Sequence, residues 1–242
     1  MRAAGIGAME LRELGIDMIA LREAGYSVSE LITGGFTVAL LRQGGFPLKD
    51  LVTGGIVLKS IRAAGFTAVE IKEAGFSTLH QLRRAGYSAA ELRAAGFSTL
   101  ALREEGITAY EMKQSGRYDA TQLARVGYEA SELHAVGFSF DALRQAKFTA
   151  AVVRSLGCSC IEAKSAGFSA EELYEAGYGI SELRWAGCRA KELRRVAHGP
   201  SAQELLDGGY SPAHLKGAEY MAIELRAIGI TIPTLWSVGF TV

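Results

Sequence analysis

The sequence predicts an all-α solenoid, a superhelix of about two dozen ten-residue units in which each unit is one short capped helix. Three observations predict it. Glycine recurs at a ten-residue spacing along nearly the whole chain. Each glycine is followed by an aromatic or aliphatic residue and then, in most units, by a small polar residue suited to start a helix. Between glycines the apolar positions fall three apart, which places them on one helical face.

The glycine series runs from Gly5 to Gly75. It slips by one residue to run from Gly86 to Gly116, and again at Gly127. It continues to Gly187, and after a two-residue slip around His198-Gly199-Pro200 it resumes at Gly209, Gly229 and Gly239. Lys147, Ala197 and Glu219 are expected to take the glycine slot in the units that lack it. The consensus is Phe-Ser-Ala-x-Glu-Leu-Arg-x-Ala-Gly, as in the unit from Phe168 to Gly177.

Each slot has a physical role. The Ser hydroxyl accepts from orphan amides of the first turn. Ser27 with Glu30, Ser88 with Glu91, Ser169 with Glu172 and Ser201 with Glu204 have the spacing of a capping box. The unit after Gly177 departs from this, with Gly179 at the N-cap. The aromatic before Ser and the Leu four residues after it are the two members of a hydrophobic staple. Glycine ends the helix in a left-handed conformation that costs it no Cβ clash. The next aromatic then packs back on the Leu of the finished helix, so one ring clamps two helices. Pro47, Pro200, Pro212 and Pro233 all fall at caps, first turns or the inserted turn, where no interior hydrogen bond is lost.

Helices this short do not survive alone in water, so stacking between units must stabilise them. Either antiparallel pairs zigzag with a twenty-residue repeat, or every decad is equivalent in a spiral with several decads to one superhelical turn. Tyr26, Phe36, Phe46, Ile56, Phe66, Phe76, Tyr87 and Phe97 follow no odd-even rule, which favours the spiral. Residues 1–242 are expected to form a single repeat domain.

The decad resembles the tandem AGFSAxELR-type short-helix repeats of unicellular algal and protist proteins, and more loosely the α-solenoids. The resemblance covers nearly the whole chain. It implies a helical repeat scaffold that binds proteins and brings no chemistry with it.

Composition narrows the functional classes. The 26 basic and 26 acidic residues cancel, without the basic footprint of a nucleic-acid binder or a polybasic membrane anchor. Apolar runs fall short of the roughly 18 residues of a spanning helix. The start of the chain reads as a repeat unit rather than a signal peptide. Three cysteines are too few and too odd in number for a disulfide framework. They point to a reducing, intracellular compartment, most simply the cytoplasm.

No catalytic, cofactor or metal site is expected. Cys158, Cys160 and Cys188 occupy core slots, whereas zinc wants four spaced ligands. His80, His134, His198 and His214 are scattered over different units. Glu and Arg flanking the Leu, as in Glu91-Leu92-Arg93, do not face each other within a helix and are expected to pair between stacked units. The Gly-aromatic-Ser turn is similar to that of helix-hairpin-helix DNA binders but lacks their second turn glycine.

These features predict a non-catalytic scaffold or protein-binding repeat. The alternative is a structural subunit of a larger assembly or an end-to-end polymer, since Met1 starts inside a helix and Phe240-Thr241-Val242 stops where another would begin. A nucleic-acid-binding array ranks last. Tyr174, in the usual Arg slot, and Trp185, in the variable slot beyond it, are the candidate partner-binding residues. They lie near a basic stretch of Arg184, Arg189, Lys191, Arg194 and Arg195. Tyr110 and Trp236 are further outward aromatics.

Overall fold

The computed structural model describes residues 6–116 and 118–241. Expectations for Met1 to Gly5 and for Val242 lie outside the described residues. Among the described residues every regular element is a short α-helix and there is no strand.

The chain divides into two compact units, Met1–Tyr118 and Asp119–Val242. The first contains α1 (Ala8–Glu13), α2 (Met18–Glu23), α3 (Val28–Thr33), α4 (Val38–Gln43), α5 (Leu48–Thr53), α6 (Leu58–Ala63), α7 (Ala68–Glu73), α8 (Leu79–Arg84), α9 (Ala89–Ala94), α10 (Thr99–Glu104) and α11 (Ala109–Gln114). The second contains α12 (Ala120–Arg125), α13 (Ala130–Ala135), α14 (Phe140–Gln145), α15 (Ala150–Ser155), α16 (Cys160–Ser165), α17 (Ala170–Glu175), α18 (Ile180–Trp185), α19 (Ala190–Arg194), α20 (Ala202–Asp207), α21 (Pro212–Gly217), α22 (Ala222–Ala227) and α23 (Ile232–Ser237).

The caps form as the slots predict. In α3 the Ser27 hydroxyl accepts from the Glu30 amide at 3.3 Å, while Glu30 Oε2 accepts from the Ser27 amide at 2.7 Å. The same reciprocal pair closes α9, α17 and α20. In α18 Gly179 offers only its amide, which donates to Glu182 at 2.6 Å. At the other end the chain turns back in paired bonds. The Gly25 amide donates to Arg22 and the Tyr26 amide to Leu21, with Gly25 at φ +78°. This is the Schellman geometry, and it satisfies carbonyls that the helix leaves orphaned. Lys147 and Glu219 adopt the left-handed conformation where glycine is missing. Ala197 does not: the left-handed residue after α19 is His198, at φ +61°. The two extra residues there move the reversal one position along, to a side chain that tolerates positive φ better than alanine.

One Leu-type residue per helix forms the axis of the core. Leu11, Leu21, Leu31, Ile71, Met112, Val153, Ala163 and Leu235 all take this slot and are almost wholly buried. Within each unit, helices pack on the next helix and on the one after it. Thus α1 packs on α3, α2 on α4, α7 on α9, α12 on α14 and α19 on α21. Odd and even helices both stack on the helix two along, so two decads complete one turn of the stack, where the expected spiral had several.

Three links recur between helices two apart. First, the residue after a helix abuts the first residue of the helix two before it. A Cβ built on Gly54 would stand 2.8 Å from Val28 Cγ1, and one on Gly208 2.2 Å from Ile180 Cγ2. Bulk at one slot is matched by glycine at the other. Second, a tyrosine in the aromatic slot donates its hydroxyl to the carbonyl of the same slot one turn earlier. Tyr87 reaches Phe66 at 2.6 Å, Tyr178 reaches Cys158 at 2.7 Å and Tyr210 reaches Cys188 at 2.7 Å.

The third link uses the cation after the core Leu. Arg42 donates to the Ala64 carbonyl at the end of α6 at 3.0 Å. Lys72 donates to Ala95 at 2.7 Å, Arg154 to Ala176 at 3.0 Å and Arg194 to Ala218 at 2.8 Å. A cation at a helix C-terminus meets both free carbonyls and the negative end of the dipole. The same groups lie over the aromatic that follows: Arg42 over Phe66 at 4.4 Å and Arg194 over Tyr220 at 4.0 Å. Several continue to the capping-box carboxylate of the next helix, as in Arg42–Glu70 at 3.3 Å and Arg194–Glu224 at 3.6 Å. The expected inter-unit pairing of Glu and Arg is therefore present, and one side chain joins three helices.

Candidate partner-docking surface

Because this cation ties the stack together, its exceptions are informative. Tyr174 takes the slot in α17 and stands half-buried. Trp236 takes it in α23 and is exposed. Trp185 is different in kind. It is the last residue of α18, a position that carries a small, polar or charged residue in every other helix. It is 75% exposed, the most of any large apolar side chain in the described residues. Among the described residues its one ring contact is with its own chain neighbour, the Arg184 guanidinium lying 5.4 Å from the indole. Tyr174 and Trp185 make no ring contact with each other. Tyr110 is also exposed.

Trp185 forms one wall of a cleft of about 650 Å³ between the α18–α19 turn and α21. Arg184, Arg189, Lys191, Tyr210 and His214 line the rest, and Tyr174 is not among its walls. The Tyr210 ring lies edge-on to His214 with centroids 6.0 Å apart. His214 Nδ1 accepts from the Ser211 amide at 3.0 Å, taking the place of a capping-box carboxylate. Arg189 occupies the N-cap of α19 and gives that helix no side-chain cap. Burial holds the Tyr210 phenol well above its usual range, and nearby Cys188 adds to this.

A related cleft of about 680 Å³ lies between the α14–α15 turn and α17, lined by Arg144, Lys147, Phe148, Phe168, Glu172 and Glu175. The two clefts come from the same repeat geometry and differ in charge. No position in the decad marks a cleft, because each is formed by slots about three helices apart. The sequence gives the exposed Trp185 and the basic stretch without showing that they share a wall.

The cysteines sit as core residues. Cys158, Cys160 and Cys188 are free and buried. Burial raises all three thiols, Cys160 to about 11, with Cys188 as its next cause. Among the described residues no three His, Cys, Asp or Glu side chains are placed to hold a metal ion. His80 pairs with Glu105 at 2.7 Å on the surface, His134 stacks on Phe140 at 4.6 Å, and His198 forms the inserted turn. No described helix is long and apolar enough to cross a membrane.

Stacked capped helices with a Leu-type core in each unit define a short-helix repeat protein of the solenoid class. The chain matches the decapeptide repeat region family over residues 15–79, 65–134, 127–200 and 177–242, and it belongs to that family. No curated protein and no solved structure matches it.

Proposed function

We propose that the chain is a non-catalytic scaffold that binds a protein partner, with Trp185 and Tyr174 as its anchor residues. The exposed indole of Trp185, at a slot that is otherwise small or polar, carries this reading. The repeat buries its apolar groups in neighbour contacts and leaves long regular surfaces free. A large exposed aromatic contributes nothing to that packing, and Trp and Tyr are the residues that dominate interface energies. The test is the double substitution Tyr174→Ala with Trp185→Ala, followed by partner capture and by thermal melting. Lost capture with an unchanged melt supports docking. A lowered melt with capture retained shows that the rings only pack.

A second reading is a structural subunit within a larger assembly. It is supported by three exposed apolar side chains, Met221 at the N-cap of α22, Ile223 in α22 and Trp236 in α23. Sedimentation across a concentration series distinguishes the readings, since self-assembly shifts with concentration and a monomeric scaffold does not.

A further inference from the structure

We propose that the cleft bounded by α18, α19 and α21 binds an acidic peptide segment of the partner. The inference rests on the docking role of Trp185 and adds the chemistry of what docks there.

Three cations, Arg184, Arg189 and Lys191, line this cleft, and no carboxylate does. In the related cleft at α14, α15 and α17, Arg144 and Lys147 are balanced by Glu172 and Glu175. The repeat geometry therefore does not itself demand a positive cleft. Lys191 is held by Glu219 at 2.5 Å, just beyond the walls, so the unmatched charge is that of Arg184 and Arg189. The Arg189 guanidinium has no hydrogen-bond or ion-pair partner among the described residues. It stands where most units place a capping Ser or Thr, and its helix forgoes that cap. A missing cap costs about 1 kcal/mol, so folding does not account for an arginine here. Folding does not account for Trp185 either. At the far wall Gly217 ends α21, and a Cβ built on it would meet nothing within 4 Å.

Two residues that contribute nothing to the stack thus converge on one open cleft. A guanidinium binds a carboxylate through two parallel hydrogen bonds. The indole offers a flat apolar face for a neighbouring aliphatic or aromatic side chain of the same segment. Nucleic acid fits less well, because a phosphate backbone needs a continuing track of cations. Here the charge is local: Glu192 follows Arg189 within α19, Glu219 holds Lys191, and Glu172 and Glu175 line the related cleft.

The experiment uses the full chain and a fluorescein-labelled ten-residue peptide of alternating aspartate and glutamate with one central phenylalanine. Binding is followed by anisotropy at low salt. A Trp236→Phe background leaves Trp185 as the single tryptophan reporter. The expected result is saturable binding that weakens with salt, with a matching change in Trp185 emission. Arg189→Glu should weaken it by about ten-fold or more, and Trp185→Ala should remove most of it, with both melts unchanged. Equal binding of a lysine-for-acid control peptide, or no saturation, overturns the inference. Tighter binding of a single-stranded oligothymidine overturns it in favour of nucleic acid. If the acidic peptide fails while Trp185→Ala still abolishes partner capture, the docking role stands and only the acidic chemistry falls.

Discussion

The guanidinium of Arg42 lies 4.4 Å from the centre of the Phe66 ring while donating to the carbonyl two residues before that ring, at Ala64. One side chain thus covers the end of a helix two units ahead and the aromatic that begins the next. It also reaches Glu70, whose carboxyl is held below its usual range chiefly by the Thr67 amide, with Arg42 adding to this. Arg42→Ala should destabilise the protein by about 1–2 kcal/mol, through a lost charge-assisted hydrogen bond and a lost ring contact, with the exposed ion pair adding little. Arg125→Ala, one position beyond the slot in α12, should stay within about 0.5 kcal/mol. Urea melts of the two variants test the difference.

Size matching between stacked helices gives a second expectation. Gly54→Ala puts a Cβ 2.8 Å from Val28 Cγ1 and 3.0 Å from the Asp50 carbonyl. Overpacking of this kind costs about 1–3 kcal/mol. Adding Val28→Ala removes the clashing methyl and recreates the pair of alanines that Ala68 and Ala95 already form in the same two slots, both buried. The double variant should therefore be more stable than the sum of the single losses by about 0.5 kcal/mol or more. Additive losses in a double-mutant cycle would show that the two positions do not meet.

The local fold was legible because each slot carries its own chemistry. Ser27 and Glu30 close a box within one helix, and Gly25 reverses the chain beside its own helix end. These features need no knowledge of distant residues. The stacking partner was not legible. Arg42 pairs with Ala64 and Glu70 only because two decads make one turn, and nothing in an equivalent repeat specifies that number. The shift from Ala197 to His198 is hidden for a related reason: an insertion leaves open which residue must take positive φ. At the candidate site, Trp185 is legible as an outward aromatic and Arg189 only as part of a basic stretch; that Arg189 takes the N-cap of α19 comes from the structure. Their meeting with His214 and Tyr210 depends on the same hidden stacking.

Tyrosine in the aromatic slot predicts a dependence on alkaline pH. Burial raises the Tyr87 phenol to about 12, from a model-compound value of 10.0. Below pH 10 the phenol is neutral in both folded and unfolded chains, and its contribution is fully present. Between about pH 10 and 12 the unfolded chain loses the proton first, so stability falls as pH rises. Tyr87→Phe should flatten that fall. At neutral pH it should cost about 1 kcal/mol, because the Phe66 carbonyl loses its donor. Urea melts at several alkaline pH values measure both effects, and an unchanged slope in the variant would refute the assignment.

The buried thiols give a simple kinetic test of the core. Cys158, Cys160 and Cys188 are raised above ordinary thiol values, mainly by burial. The thiolate is the reactive form, so an aromatic disulfide reagent near neutral pH should react slowly with the folded chain and fast in denaturant. Fast labelling of the native protein would place at least one cysteine outside the core.

The sharpest test is to add a tie where the repeat lacks one. In α5 the cation slot holds Val52, which is half-buried, and a Cβ built on Gly75 would meet nothing within 4 Å. At Gly65, where Arg42 supplies the tie, the same construction lies 2.5 Å from the Arg42 guanidinium. The space a guanidinium would fill is therefore open beside Gly75. By the register of Arg42, an arginine at position 52 would find the Ala74 carbonyl at the end of α7 and the half-buried Phe76 ring beyond it. Val52→Arg gives up part of a valine contact and gains a charged hydrogen bond, a favourable dipole interaction and a cation over a ring. The expected net gain is about 0.5–1.5 kcal/mol. Val52→Glu is the matched control, because it brings the wrong charge to the same carbonyls and should destabilise. If arginine and glutamate shift the melt equally, the cross-stack cation is a passenger of the repeat rather than one of its ties.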